Sequence, residues 1–308
     1  MVSDAADSGG TSRASEWLGL AWVACAIALF STVEVVAKVV LPVRPPLQLA
    51  FWRFFLGGLA LLPAAALAVA RERRPIEVRD WIHWAGLGLI GVTLGIGLYH
   101  AAVARMPAHQ AAILFSGHPV VVAALAPGLL GERMHRSHVA ALALAAGGTV
   151  CFLVGHGGLD RHAAGGVALM LASMTAFSLY TLLSKKAMSR RDPIAIAAGS
   201  FLIGAAALLP VTWLQDGPPW RIAAGHHWLA ILYLAFLATA AGYGAYFHGM
   251  RRMAASRAAM MFFLKPVLAT ILSAVLIGER PTFWSSVGGV LIVAATAVSL
   301  RQRPQDVA

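Results

Sequence analysis

One apolar stretch carries two residues that the interior of a bilayer disfavours, Lys265 and Pro266, side by side near its middle. From Ser256 to Ile277 the stretch is long enough to cross a bilayer as a helix. A lysine at the centre of such a helix costs about 2.5–3.5 kcal/mol, so we expect Lys265 to face protein or water and to be functional. Pro266 lacks a backbone donor and frees the carbonyl of Phe262, so we expect the helix to break there.

The same pattern occurs 147 residues earlier, where His118, Pro119 and Phe115 correspond to Lys265, Pro266 and Phe262. The tripeptide Gly-Glu-Arg closes both stretches, at residues 131–133 and 278–280. The register holds without a gap over more than a hundred residues, through pairs that include Phe54 with Phe201, Gly57 with Gly204, Trp81 with Trp228 and Tyr99 with Tyr246. The sequence is therefore an internal duplication.

Lys265 and His118 each follow an aromatic residue by one helical turn, so each half offers a nitrogen group beside a ring. A solute with a carboxylate and an apolar side chain fits that arrangement. We expect Lys265, with His118 or Arg53, to bind the carboxylate, and Phe115 and Phe262 to flank the side chain. The alternatives are that Lys265 pairs internally and that His118 packs in the core or relays protons.

Glu34 and Arg53 lie at similar depths in the first two apolar segments and are candidate partners across a hairpin. Glu34 can also reach Lys38, one helical turn later. The pair can be structural, or Glu34 can recognise a substrate amine or carry a proton. Tyr99 and Tyr246 lie near the ends of their segments, where aromatic belts at the headgroup level are common.

Composition places the chain in a membrane. Of its 308 residues 59% are hydrophobic and 12% charged, and the mean hydropathy is +0.74. The formal charge of +11 does not indicate nucleic-acid binding, because the basic residues flank apolar segments and no basic patch interleaved with aromatics follows them. Both cysteines lie in apolar segments, which indicates neither a disulfide framework nor a metal site. No catalytic or cofactor motif occurs, so we expect no cofactor and no enzyme activity.

Ten apolar segments are each long enough to approach or reach a membrane span. They run over Trp17–Val40, Leu47–Ala70, Trp81–Ala104, Ala108–Leu130, His138–Val154, Gly165–Lys186, Pro193–Leu214, Trp228–Met250, Ser256–Ile277 and Thr282–Leu300. We divide the chain into a disordered tail (1–16), a five-helix repeat (17–154), a linker (155–164), a second repeat (165–300) and a short tail (301–308). Lys and Arg concentrate on one side, which predicts that both termini are cytoplasmic.

Two similar units of five spans in tandem must cross the membrane in opposite senses, because five is odd. The predicted fold is therefore an all-α polytopic membrane protein with ten transmembrane helices in two inverted five-helix repeats, the plan of many secondary transporters. In that plan the substrate binds near the midplane at interrupted helices, here the fourth and ninth. Rocking of the repeats then gives alternating access.

The duplicated Pro119 and Pro266, with a Gly-Glu-Arg after each, resemble the EamA branch of the drug/metabolite transporter superfamily. The resemblance covers Trp17 to Leu300. Within that branch the length, the termini and the aromatic-plus-cation positions are similar to amino-acid exporters of the YddG type. It implies a bacterial inner-membrane carrier with a central cavity and cytoplasmic termini. It also implies structural rather than substrate-binding roles for Pro119, Pro266, Glu132 and Glu279.

We therefore expect an alternating-access exporter of small organic metabolites, above all amino acids, including aromatic ones. Its partners are the small-molecule substrate and the lipid bilayer, and protons are a candidate coupling ion. One alternative is a multidrug or cationic-toxin exporter, in which Glu34 carries the decisive charge. The other is a membrane protein that does not transport.

Overall fold

The computed structural model describes residues 5–41, 45–106, 108–132, 136–155, 164–220, 227–268, 271 and 282–300, and every regular element among them is helical. The α-helices are α1 (Ala5–Phe30), α2 (Val33–Val40), α3 (Pro46–Glu72), α4 (Val78–Leu87), α5 (Gly97–Ala104), α6 (Ala108–Phe115), α7 (His118–Leu130), α8 (Arg136–Gly155), α9 (Ala164–Ala187), α10 (Pro193–Asp216), α11 (His227–Tyr233), α12 (Gly242–Met250), α13 (Ala255–Met260) and α14 (Phe283–Leu300). Two π-helical segments, Gly88–Ile96 and Leu234–Ala241, join α4 to α5 and α11 to α12, and a 3-10 turn, Met261–Phe263, follows α13.

Seven helical stretches in the described residues are long and apolar enough to cross a membrane. They are Ser15–Ala37, Pro46–Glu72, Val78–Ala104, Gln110–Leu130, Ala164–Ala187, Pro193–Asp216 and Trp228–Met250. Two shorter apolar helices, His138–Val154 and Ser286–Val298, lie at the fifth and tenth predicted positions. Most of the second half of the predicted ninth span, and Glu279, lie outside the described residues. The chain is an all-helical, multi-pass membrane protein.

The first helix begins at Ala5, so helix occupies residues 5–16, which the sequence predicts to be a disordered tail. Once an apolar segment has nucleated a helix, each added residue costs little. Glu16 also forms an ion pair with the buried Arg257, which fixes the amino-terminal extension of α1 against α13. The prediction of disorder rested on composition alone, which gives no sign of a partner as distant as Arg257, 241 positions along the chain.

A bend interrupts the first span, which the sequence predicts to be continuous. Ser31 Oγ donates to the Ile27 carbonyl at 2.7 Å, and Thr32 Oγ1 donates to the Leu29 carbonyl at 2.8 Å. Such local bonds bend helices. The bend starts a new helix, α2, with Glu34 in its first turn.

The fourth and ninth spans are both interrupted. In the fourth, α6 ends at Phe115 and α7 begins at His118, with Pro119 in its first turn, where a missing backbone donor costs nothing. In the ninth, α13 tightens into the 3-10 turn Met261–Phe263 before helix resumes at residues 264–268. The interruptions bring Phe115, His118, Phe262 and Lys265 to the same region of the bundle.

Contacts between the halves recur at the offset of 147 residues. Phe54 packs edge-on against its own counterpart Phe201, with ring centroids 4.8 Å apart. Phe115 likewise meets its counterpart Phe262 at 6.2 Å. The Tyr99–Phe115 contact at 5.1 Å is repeated as Tyr246–Phe262 at 5.5 Å. Ring contacts between the halves and within each half therefore repeat at this offset.

Paired glycines let the helices approach closely at equivalent places. A β-carbon at Gly57 would lie 2.9 Å from Thr239 Cγ2, and one at Gly204 would lie 2.5 Å from the Gly88 carbonyl oxygen. Membrane helices gain van der Waals contact when small residues bring their backbones together. The second predicted span of each half, α3 or α10, is thereby packed closely against the π-helical segment of the other half.

Polar side chains tie helix ends together at the predicted cytoplasmic side. Glu132 accepts hydrogen bonds from Ala255 N at 2.7 Å, Ser256 N at 3.2 Å and Ser256 Oγ at 2.6 Å, and so caps α13 from the segment that follows α7. Buried Arg191 forms ion pairs with Asp80 at 2.5 Å and Glu72 at 2.8 Å. The Asp80 hydrogen bond raises the pKa of Arg191, so its guanidinium stays charged.

Candidate functional site

A buried ion pair lies at the centre of the candidate site. Lys265 Nζ donates to Glu34 Oε1 at 2.5 Å, and the two residues are 2% and 1% exposed. Glu34 comes from α2, just after the bend, and Lys265 from residues 264–268, just after the 3-10 turn. Breaks in two helices therefore place opposite charges together, 231 positions apart in sequence.

Arg53 is also buried here but binds other groups. Its Nε donates to Thr239 Oγ1 at 2.7 Å, one of its terminal nitrogens lies 3.4 Å from His100 Nε2, and its guanidinium carbon lies 5.3 Å from the Phe54 ring centroid. The predicted Glu34–Arg53 ion pair is not among those of the described residues, where Glu34 pairs with Lys265. The side chain of Lys38, the other predicted partner, lies outside what the structure describes.

Aromatic rings surround the ion pair. Lys265 Nζ lies 5.2 Å from the centroid of Phe115, within the range of a cation–π contact. The ring of His118 lies 4.8 Å from that of Phe262, and its Nε2 lies 3.3 Å from Thr181 Oγ1. The structure therefore brings Lys265, His118, Phe115 and Phe262 together, with the charged groups on one side and rings on the others.

The space enclosed by these residues is small. A cavity of about 20 Å³ is lined by Arg53, Lys265, Phe115, Phe262 and further rings. That volume holds a single water molecule and no organic solute. The pocket beside these residues therefore has no room for an organic solute in this conformation.

Two buried polar atoms at the site, His100 Nδ1 and His118 Nδ1, have no hydrogen-bond partner among the described residues. Glu34 Oε2, Tyr99 OH and Tyr246 OH form no hydrogen bond of good geometry there, although Tyr99 interacts with Glu34 and Tyr246 with Thr181. Buried polar groups are nearly always paired, and each exception requires an explanation. A cluster of buried polar atoms without good hydrogen bonds is what a polar ligand, or water in its place, would satisfy.

Tyr99 and Tyr246 differ from the prediction that they form part of an aromatic belt. Both are buried, 3% and 0% exposed, and contact the rings of Phe115 and Phe262. A residue near the end of a span can lie either in an aromatic belt or in the core. These tyrosines lie in the core because the interrupted fourth and ninth spans place Phe115 and Phe262 at the same depth. Their repetition in the duplication was the signal that could have identified them.

The chain is similar to known proteins over most of its length. Residues 17–154 and 164–301 each match the model of the EamA-like transporter family. A probable amino-acid metabolite efflux pump from Salmonella typhimurium is 29% identical over 281 residues, which cover 86% of this chain and 89% of that protein. An aromatic amino acid exporter, YddG, from Ancylobacter novellus is 27% identical over 289 residues, 91% and 93% of the two chains.

Other similar proteins carry less information about activity. A Clostridium kluyveri protein described only as an uncharacterized transporter is 25% identical over 278 residues, 88% of this chain and 89% of that one. A crystal structure superposes with a TM-score of 0.74 at 26% identity, covering 93% of this chain and 96% of the other. These similarities extend over nearly the full length of each protein.

Proposed function

The chain belongs to the EamA-like transporter family of the drug/metabolite transporter superfamily, and from that premise we propose that it exports amino acids, including aromatic ones, across a bacterial inner membrane. As a family member it is a membrane transporter and not an enzyme. The names of its Salmonella and Ancylobacter relatives support amino acids as the substrate class.

The proposed architecture has ten crossings in two inverted five-helix repeats, 17–154 and 165–300, with both termini in the cytoplasm. Contacts that exchange under the 147-residue offset support a two-fold relation between the repeats. An odd number of crossings in each repeat then requires that the axis lie in the membrane plane. Alternating access follows from rocking one repeat against the other around the central site.

The observation that carries the proposed substrate class is the buried Glu34–Lys265 pair beside rings and polar atoms without good hydrogen bonds. An amino acid is itself a pair of opposite charges on one carbon. It can replace each protein charge as the partner of the other, with its carboxylate on Lys265 and its ammonium on Glu34. Glu34 and Lys265 each keep an opposite charge as a partner both with and without substrate, so neither is left buried alone.

The remaining predicted residues take supporting roles in this proposal. Arg53 and His118 are further donors for the carboxylate, and Phe115 and Phe262 flank an apolar or aromatic side chain. Rings of this kind favour offset and edge contacts with an aromatic guest. Protons remain a candidate coupling ion through Glu34 or His118.

A second candidate, export of lipophilic cations, is favoured by one observation. Glu34 is a buried carboxylate whose Oε2 forms no ion pair among the described residues, and aromatic rings lie close to it, which suits an organic cation. In that case Glu34 alone carries recognition, and Lys265 must leave the site before the cation enters. Competition between amino acids and lipophilic cations for the same site distinguishes the two functions.

The test is counterflow into proteoliposomes preloaded with one amino acid, using a panel of radiolabelled solutes with and without a pH gradient. We expect exchange of large apolar and aromatic amino acids, and its loss in Lys265→Met. Arg71→Gln, an exposed cation at the end of α3, is the control and should transport as the wild type does. Exchange of lipophilic cations alone, or wild-type rates in Lys265→Met, would contradict the proposal.

A further inference from the structure

A groove on the outer surface of the bundle lies between α4 and the end of α9, away from the central site. Its volume is about 360 Å³. Arg79, in the first turn of α4, and Lys186 and Arg190, at and after the end of α9, line one end of it. The other end is apolar and is lined by residues that include Ile82, Ile90 and Leu183.

The charged end of the groove is not neutralised by the protein. No acidic side chain lines it among the described residues. Nearby Asp80 accepts from Arg191 at 2.5 Å, and Glu77 accepts from Arg74 at 2.9 Å, so both carboxylates already have cationic partners. The groove therefore offers a concentration of positive charge to an anion from outside.

The apolar end has the dimensions of a lipid chain. From Arg79 to Ile90 the helix rises about 16 Å, the distance from the headgroup region to near the midplane of a bilayer. Exposed Ile82 and half-buried Leu183 form part of its walls. A β-carbon at Gly86 would meet nothing within 4 Å, so the floor of the groove is open at this glycine.

We propose that this groove is a binding site for one anionic phospholipid of the cytoplasmic leaflet. Arg79, Lys186 and Arg190 bind its phosphate, and an acyl chain runs along the apolar wall toward Ile90. Basic pockets between membrane helices at this level suit anionic headgroups. The occupant is a lipid rather than free phosphate, because the charged end continues into an apolar channel that only a chain can fill.

The site joins the two halves of the molecule. Arg79 belongs to the first segment that matches the family, and Lys186 and Arg190 belong to the second. The helices α4 and α9 pack against each other beneath the groove. A bound phosphate therefore neutralises cations of both halves at once, and its occupancy stabilises the contact between α4 and α9.

The experiment measures lipid binding to the purified full-length protein in detergent. Native mass spectrometry is used with phosphatidylglycerol and with phosphatidylcholine of the same acyl chains. We expect wild type to retain one phosphatidylglycerol preferentially. Arg79→Gln/Arg190→Gln should weaken its retention about 30-fold, the effect of two lost charges. The control Arg71→Gln/Arg136→Gln removes the same charge from exposed residues outside the groove and should bind as wild type does.

A second variant tests the apolar part. Gly86→Phe introduces a β-carbon that meets nothing within 4 Å, so its ring can enter the groove, and we expect it to reduce retention of phosphatidylglycerol while the thermal melting point of the lipid-free protein is unchanged. The proposal is overturned if the control pair weakens binding as much as the groove pair. It is also overturned if both lipids bind equally, or if inorganic phosphate stabilises the protein as well as phosphatidylglycerol does.

Discussion

Neutralising the central ion pair one residue at a time separates a structural role from a substrate-binding role. Lys265→Met leaves Glu34 as a buried carboxylate without a cation at 2.5 Å. Removing one partner of a buried pair costs about 3–5 kcal/mol. The introduced methionine would fill the space beside Phe115 with a flexible apolar chain, so loss of charge rather than loss of volume dominates the effect.

The double variant Glu34→Gln/Lys265→Met removes both charges. Replacing a buried ion pair by neutral groups of similar size is neutral or stabilising, so we expect stability to return to that of the wild type. Transport should not return. Loss of a buried charge that contacts a substrate costs about 2–5 kcal/mol, which is at least about a 30-fold fall in transport efficiency.

The assays are thermal unfolding of the purified protein and amino-acid counterflow in proteoliposomes, on the two single variants and the double variant. The expected order is a low melting point for each single variant, recovery in the double variant, and poor transport in all three. A double variant that transports like wild type would show that the pair only supports the fold. Single variants as stable as wild type would refute the proposed cost of breaking the Glu34–Lys265 pair.

Three further predictions concern packing and helix ends. Gly204→Ala should lower the melting point, since its β-carbon would lie 2.5 Å from the Gly88 carbonyl oxygen and overpacking costs about 1–3 kcal/mol, whereas Gly147→Ala, with nothing within 4 Å, should not. Glu132→Ala should speed amide hydrogen exchange in the first turn of α13 by removing a cap worth about 1 kcal/mol, and unchanged exchange would contradict this. Arg191→Lys should also lower the melting point, because one ammonium cannot reproduce a forked set of hydrogen bonds; a wild-type melting point would contradict that reasoning.

Much of the site could be predicted from the duplication. A pattern of prolines and aromatic residues repeated at a fixed offset placed Phe115, His118, Phe262 and Lys265 at one depth, and the structure places them together. Helical type followed from the apolar segments alone. These features depend on spacing along one helix or on symmetry, and both are readable from a sequence.

The partner of Glu34 could not be predicted in the same way. The depth of Glu34 in the membrane shows only that its partner lies at a similar depth. Lys265 reaches that depth from the other half of the chain, 231 positions away. The bend at Ser31 and Thr32, which starts a new helix just before Glu34, depends on hydroxyl bonds that the same residues can equally leave unmade. The π-helical segments also could not be predicted. An all-apolar segment has the same sequence pattern whether its helix has the α or the wider π geometry.

Phe54 touches its own counterpart, Phe201, where the two halves of the chain meet. At such a position a single ancestral gene would have placed one side chain against a second copy of itself, as in a homodimer. After duplication the two positions could diverge independently, yet their side chains still pack in the same space. A larger ring at either site must therefore be matched by a smaller one at the other, which makes this pair a covariation marker for the seam between the halves.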